Sequence, residues 1–143
     1  MIQVSNTNHT ELYEEVYIIA NYFKEELNYN RVPFCKLGMI PEPFEAILFT
    51  EKAYDQVSHE NKTPYRIYGA CMFSTLKIGE DTHWNLEWIW FHPFFRHRGK
   101  LQENWDTLKS LFGDFSINKP ISNDMQSFLE KRNDNHELVG LHI

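Results

Sequence analysis

A basic loop is the first place where residue types and spacing suggest chemistry. An apolar segment ends at Pro93 and a helical pattern begins after the loop, which contains Arg96, His97, Arg98, Gly99 and Lys100. The free backbone N–H groups of a helix start, beside a glycine that accepts unusual backbone angles, can cradle a phosphate. A basic turn in solvent, with the glycine present only to bend the chain, explains the same residues. The loop alone therefore leaves phosphate binding and a solvated turn open.

Glu87 is the acidic residue within a run of large apolar side chains from Trp84 to Phe91. A carboxylate in such surroundings is costly unless it is paired or functional. As a general base it would take a proton from an attacking nucleophile, directly or through water, and burial would raise its pKa toward the useful range. A salt bridge to Arg66 or a structural hydrogen bond are the alternatives.

Two histidines and two cysteines have a spacing that does not favour a metal site. His92 and His97 are five residues apart without a neighbouring carboxylate partner, and both are weaker candidates for a base than Glu87. Cys35 and Cys71 lie far apart, without a CxxC or Cys–His pattern. We therefore expect no metal and two reduced thiols.

Three further aromatic side chains, Tyr65, Tyr68 and Trp84, have two interpretations. They could line a pocket for a substrate, or they could belong to the hydrophobic core. Tyr68 and Trp84 are the substrate-binding candidates.

Hydrophobic periodicity predicts the elements that position these residues. Apolar spacings of three and four predict a helix from Thr10 to about Asn28, and prolines with a glycine predict a loop over Arg31–Pro43. Apolar runs predict strands over Phe44–Thr50, Tyr65–Ile78 and His83–His92, the last two joined by a Gly79-Glu80-Asp81 turn. The later elements are a helix from Leu101 closed by Gly113, a strand over Phe115–Asn118, a helix from Ser122 and a short strand over Glu137–Ile143.

Alternation predicts which side chains share a face of the sheet. In the strand from Tyr65, Cys71 and Phe73 lie on one side, and Tyr68 and Met72 on the other. In the next strand one face carries Trp84, Leu86, Trp88 and Trp90, and the other Asn85, Glu87, Ile89 and Phe91. The order of elements predicts one domain over residues 1–143 of the α/β (α+β) class: a mixed, mostly antiparallel central sheet with helices on both faces.

Composition excludes several classes of protein. With 42% apolar and 15% aromatic residues among 143, a disordered or fibrous chain is excluded. The net charge of −6 disfavours a nucleic-acid partner, and no run reaches the ~18 apolar residues of a membrane helix. Met1 to Thr10 lacks the apolar core of a signal peptide, so we expect a cytoplasmic protein without a membrane partner.

The strand, the proline and the Arg96-x-x-Gly99 loop that opens a helix resemble the acyl-CoA-binding segment of the GNAT N-acetyltransferase superfamily. In that superfamily a hydrophobic strand is followed by x-x-Pro and then by a six-residue pattern, (Arg/Gln)-x-x-Gly-x-(Gly/Ala). The order of elements is similar from Thr10 to about Arg132. The resemblance implies a divergent GNAT-like domain with acetyl-CoA as its acyl donor.

The resemblance also implies roles for residues of this chain. The pantetheine arm of acyl-CoA would run along the backbone edge of residues 89–91 like an added strand, and the pyrophosphate would lie on the amides of residues 97–101. The basic side chains of the loop would be the nearby cations. The implied cofactor-binding residues are Ile89, Trp90, Phe91, Arg96, His97, Arg98, Gly99, Lys100, Leu101 and Asn123.

Two departures from the superfamily's pattern bear on catalysis. Leu101 replaces the last small residue of the loop motif, and Leu129 stands where a tyrosine often protonates the leaving thiolate. The first hypothesis is an acyl-CoA-dependent N-acyltransferase that moves an acetyl group to a primary amine of a small molecule or protein, with Glu87 as the catalytic residue. The alternative is a non-catalytic GNAT-fold protein that binds acyl-CoA or a protein partner. Association into a homodimer is left open.

Overall fold

The computed structural model describes residues 1–5, 9–27, 44–55, 64–132 and 134–140. The predicted loop Arg31–Pro43 and Cys35 lie outside these ranges. In chain order the elements are strand β1 (Ile2–Ser5), helix α1 (Tyr13–Leu27), strands β2 (Phe44–Lys52), β3 (Tyr65–Ile78) and β4 (Asp81–Phe91), helix α2 (Lys100–Phe112), strand β5 (Ser116–Asn118), helix α3 (Asn123–Lys131) and strand β6 (Leu138–Val139). Short 3₁₀ turns, Thr10–Leu12 and Pro93–Phe95, precede α1 and follow β4.

The described strands form one mixed sheet in the order β1-β2-β3-β4-β5-β6. Strands β1 to β4 pair antiparallel, whereas β5 pairs parallel with β4 and β6 parallel with β5. The predicted fold class, a mixed and mostly antiparallel sheet with helices on both faces, is confirmed. Strand β1 was not predicted, because four residues are too few for alternation to stand out.

The two faces of the sheet carry separate hydrophobic clusters. On one face α1 buries Val16, Ala20 and Phe23 against the sheet, which contributes Trp88. Those α1 positions are three and four residues apart and therefore lie on one side of the helix. On the other face, the cluster combines α2, α3 and the sheet through Trp105, Leu108, Phe112, Met125, Phe73 and Phe115. We call these the α1 face and the α2 face.

A β-bulge at Glu87 corrects the predicted facing of β4. Met72 pairs with Trp88 while Phe73 pairs with Leu86, so Glu87 is one extra residue on β4. One extra residue reverses the alternation beyond it. Trp88 and Trp90 therefore pack on the α1 face, whereas Trp84 and Leu86 pack on the α2 face.

A second bulge corrects the facing of Tyr68. Phe49 pairs with Gly69 while Thr50 pairs with Ile67, so Tyr68 is an extra residue on β3. It joins Cys71 in the α2-face cluster rather than facing with Met72.

Strands β4 and β5 diverge into a fork. Within the described ranges their pairing consists of Asn85 with Ser116 and Leu86 with Ile117. Beyond Leu86, β4 continues along β3 as far as the pair of Phe91 with Gly69. Residues 87–91 thus have a backbone edge that β5 does not cover.

Candidate functional site

A cleft of about 700 Å³ lies at this fork. From the α1 face it is lined by Phe23, Leu27 and Trp88, and from the α2 face by Phe95 and Phe128. Glu87 and the uncovered part of β4 lie between them. The cleft therefore reaches both faces of the sheet where β4 and β5 separate.

The uncovered edge of β4 presents backbone groups to the cleft. The N–H of His92 donates to the carbonyl of Tyr68 on β3 (2.8 Å). Because backbone groups alternate between the two edges of a strand, Phe91 and Ile89 direct theirs to the opposite edge. Arg96 Nε donates to the Phe91 carbonyl at that edge (2.9 Å). The N–H and the carbonyl of Ile89 and the N–H of Phe91 therefore remain as the groups able to pair with an extended ligand.

The loop after β4 turns the chain into α2 through two left-handed residues. His97 has φ 59° and Gly99, the N-cap of α2, has φ 75°. The first carbonyl bond of the helix runs from the N–H of Glu103 to Gly99 (2.9 Å). The N–H groups of residues 99–102 precede it and have no acceptor within the helix. All four of these residues line the cleft.

The three basic side chains of the loop differ in their partners. Arg96 pairs with Glu26 of α1 (2.8 Å), and the Lys100 ammonium lies 3.2 Å from a carboxylate oxygen of Glu51. Arg98 is exposed and stacks on the Phe94 ring at 4.2 Å. Among the described residues Arg98 is thus the loop cation without a carboxylate partner.

Histidines 92 and 97 have local partners. His92 Nδ1 accepts a hydrogen bond from the Phe94 N–H (3.2 Å) and caps the 3₁₀ turn. His97 is exposed, with Nε2 3.6 Å from an oxygen of Asp124 on α3. Neither histidine touches Glu87, and the described ranges hold no group of three or more His, Cys, Asp or Glu side chains placed to bind a metal ion.

Glu87 belongs to a polar cluster on the α1 face, formed with Ser74, Asn85 and Asn118. Oε1 of Glu87 accepts from the Ser74 hydroxyl and from Asn85 Nδ2 (3.1 Å), and Oε2 accepts from Asn118 Nδ2. Asn85 Nδ2 also donates to Asn118 Oδ1 (2.8 Å). The cluster joins β3, β4 and β5 at the fork.

The structure distinguishes the two alternatives to a catalytic role for Glu87, which are a salt bridge to Arg66 and a structural hydrogen bond. Arg66 pairs with Asp55 and lies 4.0 Å from Glu51, so the expected salt bridge to Glu87 is not formed. The hydrogen-bond alternative is present in the polar cluster. Because Glu87 also lines the cleft, these hydrogen bonds are compatible with a role as base.

The two substrate-binding candidates lie elsewhere. Tyr68 is 4% exposed in the α2-face cluster, its hydroxyl accepts from Asn104 (2.9 Å), and burial raises its pKa. Trp84 packs edge-on against Phe112 at 5.2 Å. Neither lines the cleft as described. The bulges at Tyr68 and Glu87 account for this placement.

Three more positions, on α2 and α3, are ones that the resemblance connects with cofactor binding or catalysis. Leu101 is half-buried: it packs against the α2-face cluster and also lines the cleft. Leu129 packs against the same cluster and does not line the cleft, which α3 lines with Met125 and Phe128 among others. Asn123 is exposed and outside the lining.

Sequence reasoning missed the partners of Glu87. Asn85 was predicted on the same face as Glu87. An asparagine in an apolar strand indicates a polar network, and in the structure Asn85 is fully buried. Asn118 gave no such signal. Its contact with β4 depends on the parallel pairing of β5, which a single sequence does not reveal.

This chain is similar to known proteins in structure but not in sequence. No protein-family model and no curated protein matches the sequence. The acetyltransferase domain of xEco2, solved with a bound CoA conjugate, matches with a TM-score of 0.62 at 15% identity, over 99% of this chain and 93% of that one. An aminoglycoside acetyltransferase from an uncultured soil metagenomic sample matches with a TM-score of 0.54 in two structures, with trehalose (10% identity, 99% and 93% covered) and with sisomicin (12%, 99% and 91%).

This chain has the GNAT acetyltransferase fold. At such low identity the likeness shows the fold alone, and it makes this chain a divergent example. The GNAT-like loop of this chain, Arg96 to Gly99, lies beside the fork where the resemblance places acyl-CoA. None of the described helices is long and apolar enough to cross a membrane.

Proposed function

We propose that this protein is an acyl-CoA-dependent N-acyltransferase, which transfers an acetyl group from acetyl-CoA to a primary amine of a small molecule or protein. The observation that carries the proposal is the fork. A strand edge with free backbone groups leads into a loop and a helix start whose N–H groups line the same cleft. Structures with this fold include acetyltransferases, one of them with a bound CoA conjugate.

The donor's binding follows from these groups. The pantetheine arm pairs with Ile89 and Phe91 as an added strand, and the pyrophosphate takes hydrogen bonds from the N–H groups that open α2. Arg98 supplies positive charge beside them. Leu101 leaves the phosphates room because its side chain packs against the α2-face cluster.

The chemistry is direct transfer in a ternary complex. The amine nitrogen attacks the thioester carbonyl, one N–H proton passes to Glu87, and the C–S bond breaks as the C–N bond forms. Glu87 is suited to this because it lines the cleft and is held in one orientation. The thiolate takes its proton from water.

A non-catalytic acyl-CoA-binding protein is the second candidate, and one observation favours it. Within the described lining of the cleft there is no tyrosine, and Leu129 is packed away from it. A leaving thiolate without a placed acid slows turnover, so we expect a weak enzyme.

The test follows thiol release and acetylated product with acetyl-CoA and a panel of small amines, polyamines and peptides. Product formation above the uncatalysed rate with at least one amine is the expected result. Binding of acetyl-CoA without product from any amine would select the non-catalytic candidate. Absence of both binding and product would contradict both.

A further inference from the structure

The two oxygens of the Glu87 carboxylate are not equivalent. Oε1 accepts from Ser74 and from Asn85, whereas within the described ranges Oε2 accepts from Asn118 alone. A carboxylate oxygen offers about two lone-pair positions. Oε1 is therefore filled, and Oε2 has one position left for a further donor.

Asn85 is the most deeply buried member of the polar cluster. It is fully buried, and its Oδ1 accepts from the Ser116 hydroxyl at 2.6 Å. Both hydrogens of Nδ2 are used, one on Glu87 and one on Asn118. The reverse amide orientation would place Oδ1 against oxygens of both residues, so the network fixes the orientation.

Asn85 also lies one residue before the fork opens. It pairs with Ser116, and the next pair, Leu86 with Ile117, is the last one described between β4 and β5. Asn85 thus joins the two strands next to the point where they separate and, together with Ser74, fills Oε1 of the carboxylate in the cleft.

We propose that Asn85 is a positioning residue, which holds Glu87 so that Oε2 receives the proton of the acceptor amine. The inference rests on the proposed transferase function. As the C–N bond forms, one N–H proton passes to Oε2, the C–S bond breaks, and its electron pair leaves on the CoA sulfur. Asn85 touches neither substrate and acts through Glu87.

The test is a double-mutant cycle on Asn85 and Glu87. Asn85→Asp keeps the size of the side chain and the acceptor for Ser116 but loses both N–H donors. We expect kcat to fall about tenfold or more and the Kd of acetyl-CoA to change less than about twofold. In a Glu87→Gln background the same change should lower kcat by less than about twofold, because the residue it acts through is gone. If the two substitutions lower kcat independently, so that their effects multiply in the double variant, the inference is overturned.

Two further variants keep the test decisive. Ile47→Val, in the buried core away from the cleft, controls for a general loss of stability and should leave kcat unchanged. If Asn85→Asp does not fold, Asn85→Ser, with a shorter and uncharged side chain at the same position, enters the same cycle with the same expected non-additivity. If the parent transfers the acetyl group but the effects of the Asn85 and Glu87 substitutions on kcat are independent, the positioning role alone is overturned. If the parent transfers the acetyl group to no amine, the proposed function is overturned as well.

Discussion

At the scale of single residues, the environment of Glu87 decides what it can do. Three side-chain donors hold the carboxylate, and no described cation is paired with it. Hydrogen bonds therefore orient the carboxylate, and no ion pair within the described ranges occupies it. That combination suits proton transfer better than a purely structural ion pair would.

Glu87→Gln should lower kcat by about 10²-fold or more with little change in acetyl-CoA affinity, because the amide cannot accept the proton. Steady-state kinetics and calorimetric binding measure the two effects. Glu130→Gln, on the exposed side of α3, is the matched control. Equal kcat in the parent and Glu87→Gln would remove Glu87 from the mechanism.

Arg98→Ala should weaken CoA binding about threefold at low salt, since exposed charge contacts are worth under about 1 kcal/mol. At about 1 M salt the difference should vanish, because charges are then screened within a few ångströms. Lys77→Ala, an exposed cation at the far end of β3, is the control. Titrations at two salt concentrations check this, and a salt-independent loss would contradict the electrostatic role.

At the scale of elements, the sequence predicted most boundaries but not the bulges. The start of α2 after Gly99 and the strand over Tyr65–Ile78 follow from turn residues and periodicity, which are local signals. The bulge at Glu87 is visible only once β4 is paired with β3, since it is a mismatch between two strands. Trp84 and Leu86 were therefore wrongly grouped on one face with Trp88 and Trp90, and Asn118 was not recognised as a partner of Glu87.

Asp134 links the chain after α3 to α2. The guanidinium of Arg132 and then the ammonium of Lys109 hold the pKa of Asp134 at about 2, below its ordinary value of 3.8. A carboxylate with a lowered pKa stabilises the fold above its unfolded pKa, and this contribution is lost as pH falls through about 2.

Asp134→Asn should lower the free energy of unfolding by about 1–3 kcal/mol at pH 6, because it removes charged hydrogen bonds from a side chain that is 15% exposed. The gap between parent and variant should close as pH falls from about 4 to about 2. Asp106→Asn is the control: the same Arg132 is its partner, but Asp106 is 76% exposed. Urea unfolding across this pH range measures both, and a gap that persists at low pH would contradict the ion-pair account.

At the scale of the whole molecule, the acidic protein places its basic loop at one end of the cleft. The net charge is −6, yet the exposed Arg98 directly precedes the N–H groups that open α2, and we propose that together they bind an anion. The central claim is that acyl-CoA binds here, with its pyrophosphate on this helix start.

Binding of acetyl-CoA to the parent and to Gly99→Pro tests that claim most directly. Proline requires φ near −65° and lacks the N–H, whereas Gly99 has φ 75° and its N–H opens α2. Gly79→Pro applies the same constraint at φ 65° in the turn between β3 and β4, away from the cleft. At a hundredfold excess over Kd, acetyl-CoA should stabilise the parent and Gly79→Pro by about 2.7 kcal/mol and leave Gly99→Pro unchanged. Equal stabilisation of all three proteins, or none in the parent, would contradict the account.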